Sequence, residues 1–280
     1  MSSGRPAPRI FGIPATRAPI VAVLARGPTK WVRLGRWDVS NDAYEPGMWM
    51  TATLYPERCD LSPDGRWLAY MALKPSSTWE AGWTYVAVSR LPWFTALAAW
   101  GTNGTWSRGV RFVDDPSEWS VPEPDEGDTA PLRRRYGLVV RRAETFSVER
   151  DRGWSETDDT PARDRDDAWD EHRAPRVTMD KVRPGDGSTR LVVGGRFAAF
   201  RDSRNHDPEV WYALARGTDL RRIEDAQWAE WDARGRLLVA TTDGRLQVRA
   251  GADAADVAWE RDLSGDEPDP EAPPAEASRW

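Results

Sequence analysis

The chain has 280 residues, a formal charge of −6, a pI near 5.2 and a single cysteine, Cys59. One cysteine excludes an intrachain disulfide and a cysteine-rich zinc site and fits a reducing compartment. The mild acidic balance speaks against generic phosphate-backbone binding, which runs on clustered Lys and Arg. A chain of this length buries a large core without staples. Its 17 Trp are the outlying count, because Trp favours strands and needs a partner for its indole N–H when buried.

Residues 1–18 hold Pro6, Pro8 and Pro14, show no period and read as an irregular arm. They lack the order of parts of a signal peptide. The apolar run from Ile20 to Ala25 stops at Arg26 and reads as a buried strand. No apolar stretch approaches the ~20 residues that span a bilayer, so a soluble cytoplasmic protein is expected. Ile20 to Ala25 and Trp31 to Trp37 form a hairpin across a turn at 27–29, and Asn41 to Gly47 reads as a loop. Strands are expected at 50–55, 67–73, 83–90 and 94–100, then over 106–121 with Val110, Phe112 and Trp119 as anchors. Pro122 to Ala130 is an acidic loop, and Tyr136–Arg142 with Thr145–Glu149 look like the arms of another hairpin.

Glu156 to Arg173 is dense in charge and almost bare of aliphatic residues, which marks a charged insertion over about 156–189. Strands resume at 190–200, 209–215, 220–223, 227–231, 236–242 and 245–249, the last two joined through Asp243-Gly244, a strong hairpin signal. Val257 to Glu260 is a final strand, and 264–280, rich in Pro, Asp, Glu and Ala, reads as a disordered acidic tail. Short strands at this spacing fit a β-sandwich, a barrel or a propeller.

Ser62-Pro63-Asp64-Gly65-Arg66 is a tight turn. Pro63 presets its own φ, Asp64 bonds the backbone locally and Gly65 takes φ > 0 without penalty. Asp232-Ala233-Arg234-Gly235-Arg236, again followed by an apolar strand, is a weaker copy and marks internal repetition. Ser62 to Tyr70 resembles the blade-opening turn and strand of bacterial β-propeller repeats of the TolB and WD40-like kind, and Trp231 to Ala240 looks like a degenerate second example. The resemblance implies an all-β, β-propeller-like domain over 19–263 with about five or six blades, at roughly 40–50 residues each. The blades divide near 19–50, 51–100, 101–155, 190–222 and 223–262, and the ring would close by pairing the strand at Ile20 with the strand at Trp259. Propellers of this kind commonly serve as interaction platforms.

Signatures of chemistry are weak. Gly185-Asp186-Gly187 lacks the lysine and length of a phosphate loop, no Gly-x-Ser-x-Gly elbow exists, and no cofactor or metal is expected. His206, flanked by Asp202 and Asp207, is a better general base than His172, but the stretch reads first as a polar loop between strands. Asp158-Asp159 and Asp164 to Asp167 fail the EF-hand pattern, whose sixth position here would be Trp169. Asp38, Asp60, Asp64 and Asp232 sit at strand ends and turns, where Asp usually accepts from the local backbone. Arg133-Arg134-Arg135 and Arg141-Arg142 form a basic stripe between acidic stretches, which favours solvation or internal pairing over nucleic acid. Loop-borne Trp beside Arg is the composition of interface hot spots. Trp79 and Trp93 lie in expected loops, and with Trp83, Trp106 and Trp119 of the same aromatic stretch they are the candidate partner-binding residues, the partner being another protein and the expected role a non-catalytic scaffold. The alternatives are inter-blade core, or a carbohydrate-active or carbohydrate-binding site that pairs Trp platforms with central carboxylates.

Overall fold

The computed structural model describes residues 6–27, 30–75, 82–102, 104, 109–114, 129–144, 146–157, 176–196 and 210–280. Two compact units divide the chain. The amino-proximal unit comprises Ile13–Val148 and Glu267–Trp280, and the carboxy-proximal unit comprises Met1–Gly12 and Glu149–Asp266. No helix among the described residues is long and apolar enough to cross a membrane.

The first sheet runs in the order β1 (Arg9–Pro14), β2 (Ile20–Arg26), β3 (Trp31–Asp38) and β4 (Ala43–Thr51). The hairpin expected from the alternating pattern is present, with Ile20 opposite Asp38 and Arg26 opposite Val32. Two expectations change. The arm contains a strand, β1, and the loop at 41–47 belongs largely to β4. Pro46 lies inside β4 opposite Gly35, beside a register shift after Arg33. An edge strand tolerates this because the missing N–H has no ladder to complete.

The second sheet has the order β5 (Thr53–Leu54), β7 (Trp67–Leu73), β8 (Thr84–Arg90), β9 (Ala96–Gly101), with β6 (Asp60–Leu61) also paired to β7. Nearly every residue of β7 and β8 is buried. The third pairing joins β10 (Val110–Val113) to β11 (Val139–Arg142), Val113 lying opposite Val139. The hairpin expected over 136–149 does not form. Tyr136 ends helix α1 (Ala130–Tyr136), Gly137 closes it in the left-handed conformation, and Ser147–Asp151 is a second short helix, α2. Pro131 in the first turn and Gly137 just past the last are helix start and stop signals that override the apolar run beside them. Trp67, Met71, Val88, Trp100, Phe112 and Leu132 centre the core of this unit.

In the carboxy-proximal unit the fourth sheet runs β12 (Ser155–Glu156), β13 (Arg176–Arg183), β14 (Asp186–Arg196), β15 (Trp211–Arg216), β16 (Asp219–Arg222). Much of the charged insertion expected at 156–189 is thus sheet: Val177 and Met179 are fully buried and alternate with polar residues along β13. The fifth sheet runs β17 (Ala226–Trp231), β18 (Leu237–Thr241), β19 (Arg245–Ala250), β20 (Asp256–Asp262). The all-β class holds, in sheets spanning 9–51, 53–101, 110–142, 155–222 and 226–262. Ile20 and Trp259 lie in separate sheets, so the ring closure expected from pairing their strands does not occur.

Residues 264–280, expected as a disordered tail, differ as well. Glu267–Trp280 belongs to the amino-proximal unit, Ala275–Ser278 forms a 3-10 turn with Ala277 fully buried, and Trp280 packs on the core. Two apolar anchors among many prolines and acids suffice to dock a segment whose average composition reads as unfolded.

Candidate interaction surface

Among the described residues the turn chemistry comes in three copies, one more than the two repeats. In each, a side-chain oxygen three residues before a left-handed glycine accepts the N–H of the residue after it. Ser62 Oγ accepts from Arg66 at 3.2 Å and Trp67 at 2.9 Å. Asp232 Oδ1 accepts from Arg236 at 2.8 Å, and Thr241 Oγ1 from Arg245 at 3.0 Å. The arginine after each glycine pairs with an acid of its own turn: Arg66 with Asp64, Arg236 with Asp232, and Arg245 with Asp243.

The buried carboxylates hold the fold. Asp60 Oδ2 accepts from the Phe112 amide at 2.7 Å and its Oδ1 from Leu61 at 2.9 Å. Glu230, 3% exposed, receives Lys181 Nζ at 2.8 Å, Trp154 Nε1 at 2.9 Å and the Trp231 amide at 2.8 Å. Asp38 accepts from the Ser40 amide and hydroxyl. Burial pushes the Cys59 thiol up to about 12, so it stays protonated and is not a nucleophile at neutral pH. Asp186 lies well below the ordinary carboxylate range because the Ser188 and Thr189 hydroxyls and the Ser188 amide donate to it. No group of three metal-ligating side chains occurs among the described residues. His172, His206, Asp158-Asp159 and Asp164 to Asp167 lie outside them.

Of the expected partner-binding residues, Trp79, Trp106 and Trp119 also lie outside the described residues. Trp83 is 62% exposed and stands just before β8, where its carbonyl accepts the Lys74 amide across the β7–β8 connection. Trp93 is half-buried and follows the other end of β8, its amide donating to the Arg90 carbonyl. A strand of this length separates them by roughly 20 Å, so the two indoles do not share one patch. The basic stripe is divided too: Arg133 to Arg135 lie on α1, whereas Arg141 and Arg142 lie on β11.

Sequence reasoning missed a second aromatic site in the amino-proximal unit. The Trp67 ring lies 5.2 Å from Tyr136 and 5.5 Å from Trp280, centroid to centroid. Arg90 covers Trp67 at 5.7 Å and Arg66 covers Tyr136 at 6.0 Å. Arg135 Nη1 donates to the Trp280 backbone oxygen at 3.0 Å. Trp280 was hidden in the tail's composition, and Tyr136 in a misassigned strand. No family model, characterised protein or solved structure matches the chain.

Proposed function

We propose that the protein is a non-catalytic interaction module on a propeller-like array of β-sheets, and that Trp83 anchors a partner protein. The observation that carries this reading is the exposure of Trp83. Every other described Trp is buried or half-buried, whereas this one stands in solvent just before β8. Trp is enriched among interface hot spots, and binding residues concentrate on loops held by a rigid scaffold.

The propeller reading rests on the sheets themselves. Their strands follow chain order, as in a meander, and in the fourth and fifth sheets the last strand is the exposed one. In the fifth sheet β18 is wholly buried and β20 almost wholly exposed, and in the fourth β15 is half buried and β16 exposed. Blades graded from an inner to an outer strand give this profile.

The test is affinity capture of the full chain and its Trp83→Ala variant from native cells, with a photo-crosslinking residue at position 83 in a third sample. The expected result is one stoichiometric protein crosslinked through position 83. Its affinity falls by ~2 kcal/mol or more in Trp83→Ala, with the melting temperature unchanged. Undiminished affinity overturns the assignment of Trp83. A chain that is captured alone and binds glycans favours the sugar-stacking alternative instead.

A further inference from the structure

We propose that the receptacle formed by Trp67, Tyr136, Arg66, Arg90 and Arg135 is a peptide-recognition site. Its resident ligand is the chain's own residues 275–280, displaced by a partner segment of like chemistry: a short turn ending in an aromatic side chain and preceded by acidic residues. The inference rests on the interaction-module reading and names what a second surface of that module takes.

The segment sits as a ligand sits. Glu271 to Glu276 are exposed, and the apolar anchoring falls on two side chains three residues apart, Ala277 fully buried and Trp280 half-buried. Trp280 stacks in a tilted arrangement on Trp67, whose other neighbours are the Tyr136 ring and the Arg90 guanidinium. Aromatic pairs at such separations prefer offset or tilted geometry, and arginine over an aromatic face adds cation–π attraction.

The polar contacts to the segment are to its main chain. Arg135 Nη1 reaches the Trp280 oxygen at 3.0 Å and Arg90 Nη1 the Glu276 oxygen at 3.5 Å. Main-chain recognition does not depend on the side chains presented, so another segment with an aromatic anchor can make it. Charge selects among segments: the tail carries Glu267, Asp269, Glu271 and Glu276, and α1 presents Arg133, Arg134 and Arg135. Trp67 Nε1 is buried without a hydrogen-bond acceptor among the described residues, a standing penalty that the resident segment leaves unrelieved.

The test uses a fluorescent peptide with the sequence of residues 267–280 and the full chain. In the native chain the tethered tail competes at an effective concentration of about millimolar. Anisotropy should therefore show the peptide binding Trp280→Ala at least tenfold more tightly than the native chain. A peptide with its Trp replaced by Ala should lose that gain, as should the double variant Trp280→Ala, Arg135→Ala. Equal binding to the native and Trp280→Ala chains, both folded by near-UV circular dichroism, overturns the proposal.

Should Trp280→Ala fail to fold, a full-length chain with a protease site replacing 269–272 keeps every receptacle contact. After cleavage the tail should stay bound and exchange with labelled peptide. Unfolding on cleavage, or a tail that never exchanges, makes the segment part of the core and overturns the proposal. A native chain that dimerises by trading tails as concentration rises assigns the receptacle to a second copy and overturns the partner. The peptide result does not depend on Trp83, so failure of either reading is visible without the other.

Discussion

Glu230 shows what a buried charge does in this protein. It is almost fully enclosed, yet its two oxygens receive an ammonium, an indole N–H and a backbone amide, all within 2.9 Å. Burying a carboxylate costs several kcal/mol unless such partners replace water. The partners come from separated stretches of chain, Trp154, Lys181 on β13 and Trp231 on β17, so the carboxylate locks their relative positions. Glu230→Ala leaves the Lys181 ammonium and the Trp154 N–H without their acceptor, and should destabilise the fold by ~3–5 kcal/mol. Glu230→Gln retains an acceptor while losing the charge, and should cost about half as much. Urea unfolding of the three chains measures both, and a cost below about 1 kcal/mol for Glu230→Ala would mean that water replaces the carboxylate. Nothing in the sequence around Glu230 marks it, because the two side chains that pair with it lie 76 and 49 residues away along the chain.

At the scale of elements, the tight turns carry the most information per residue. Gly65, at φ +72°, has no room for a Cβ, which would meet the Ile20 Cβ at 2.7 Å. Gly235 is as confined, by the Pro184 carbonyl at 2.5 Å. Gly65→Ala therefore combines left-handed strain with a steric clash and should cost ~2–4 kcal/mol in chemical denaturation. Ser62→Ala, which removes the acceptor for two amides but clashes with nothing, should cost about 1–2 kcal/mol. If the order of the two is reversed, hydrogen bonding rather than packing sets the turn.

These turns were legible because their chemistry is local: Gly, Asp and Ser act within five residues of one another. The β2–β3 hairpin and the strands from β7 to β9 were legible through alternation and apolar runs. β13 was not, since Asp180, Lys181 and Arg183 mask the alternation of Val177 with Met179. Nor was the pairing of β10 with β11, which depends on closing a connection of 25 residues between Val113 and Val139. Of the candidate surface, Trp83 reads as the first residue of the strand expected at 83–90, so its exposure was not legible, and the Trp67–Trp280 contact joins residues too far apart for any local signal.

At the scale of the whole molecule, the burial profile across the sheets makes a kinetic statement. Amide exchange from native proteins proceeds through local openings, whose free energy rises with buried contacts and neighbouring ladders. Strands β7 and β18 have partners on both sides and lie almost wholly buried, so opening them requires disrupting the core. Strands β16 and β20 are terminal in their sheets and exposed along their length, with Leu220 at 51% and Val257 at 51%. Terminal strands of this kind normally avoid edge-to-edge pairing with other chains by carrying charge. β20 does so with Asp256, Glu260, Arg261 and Asp262, and β16 with Asp219, Arg221 and Arg222. Hydrogen exchange read by mass spectrometry should therefore show β16 and β20 exchanging at least a hundredfold faster than β7 and β18, a difference of about 2.7 kcal/mol or more in opening free energy. The ranking should not change with protein concentration. Protection of β20 that grows with concentration would mean that its charges fail to keep a second copy away. Protection equal to that of β18 at every concentration would mean that β20 is not the outer strand of its sheet, and the graded-blade reading would fall with it.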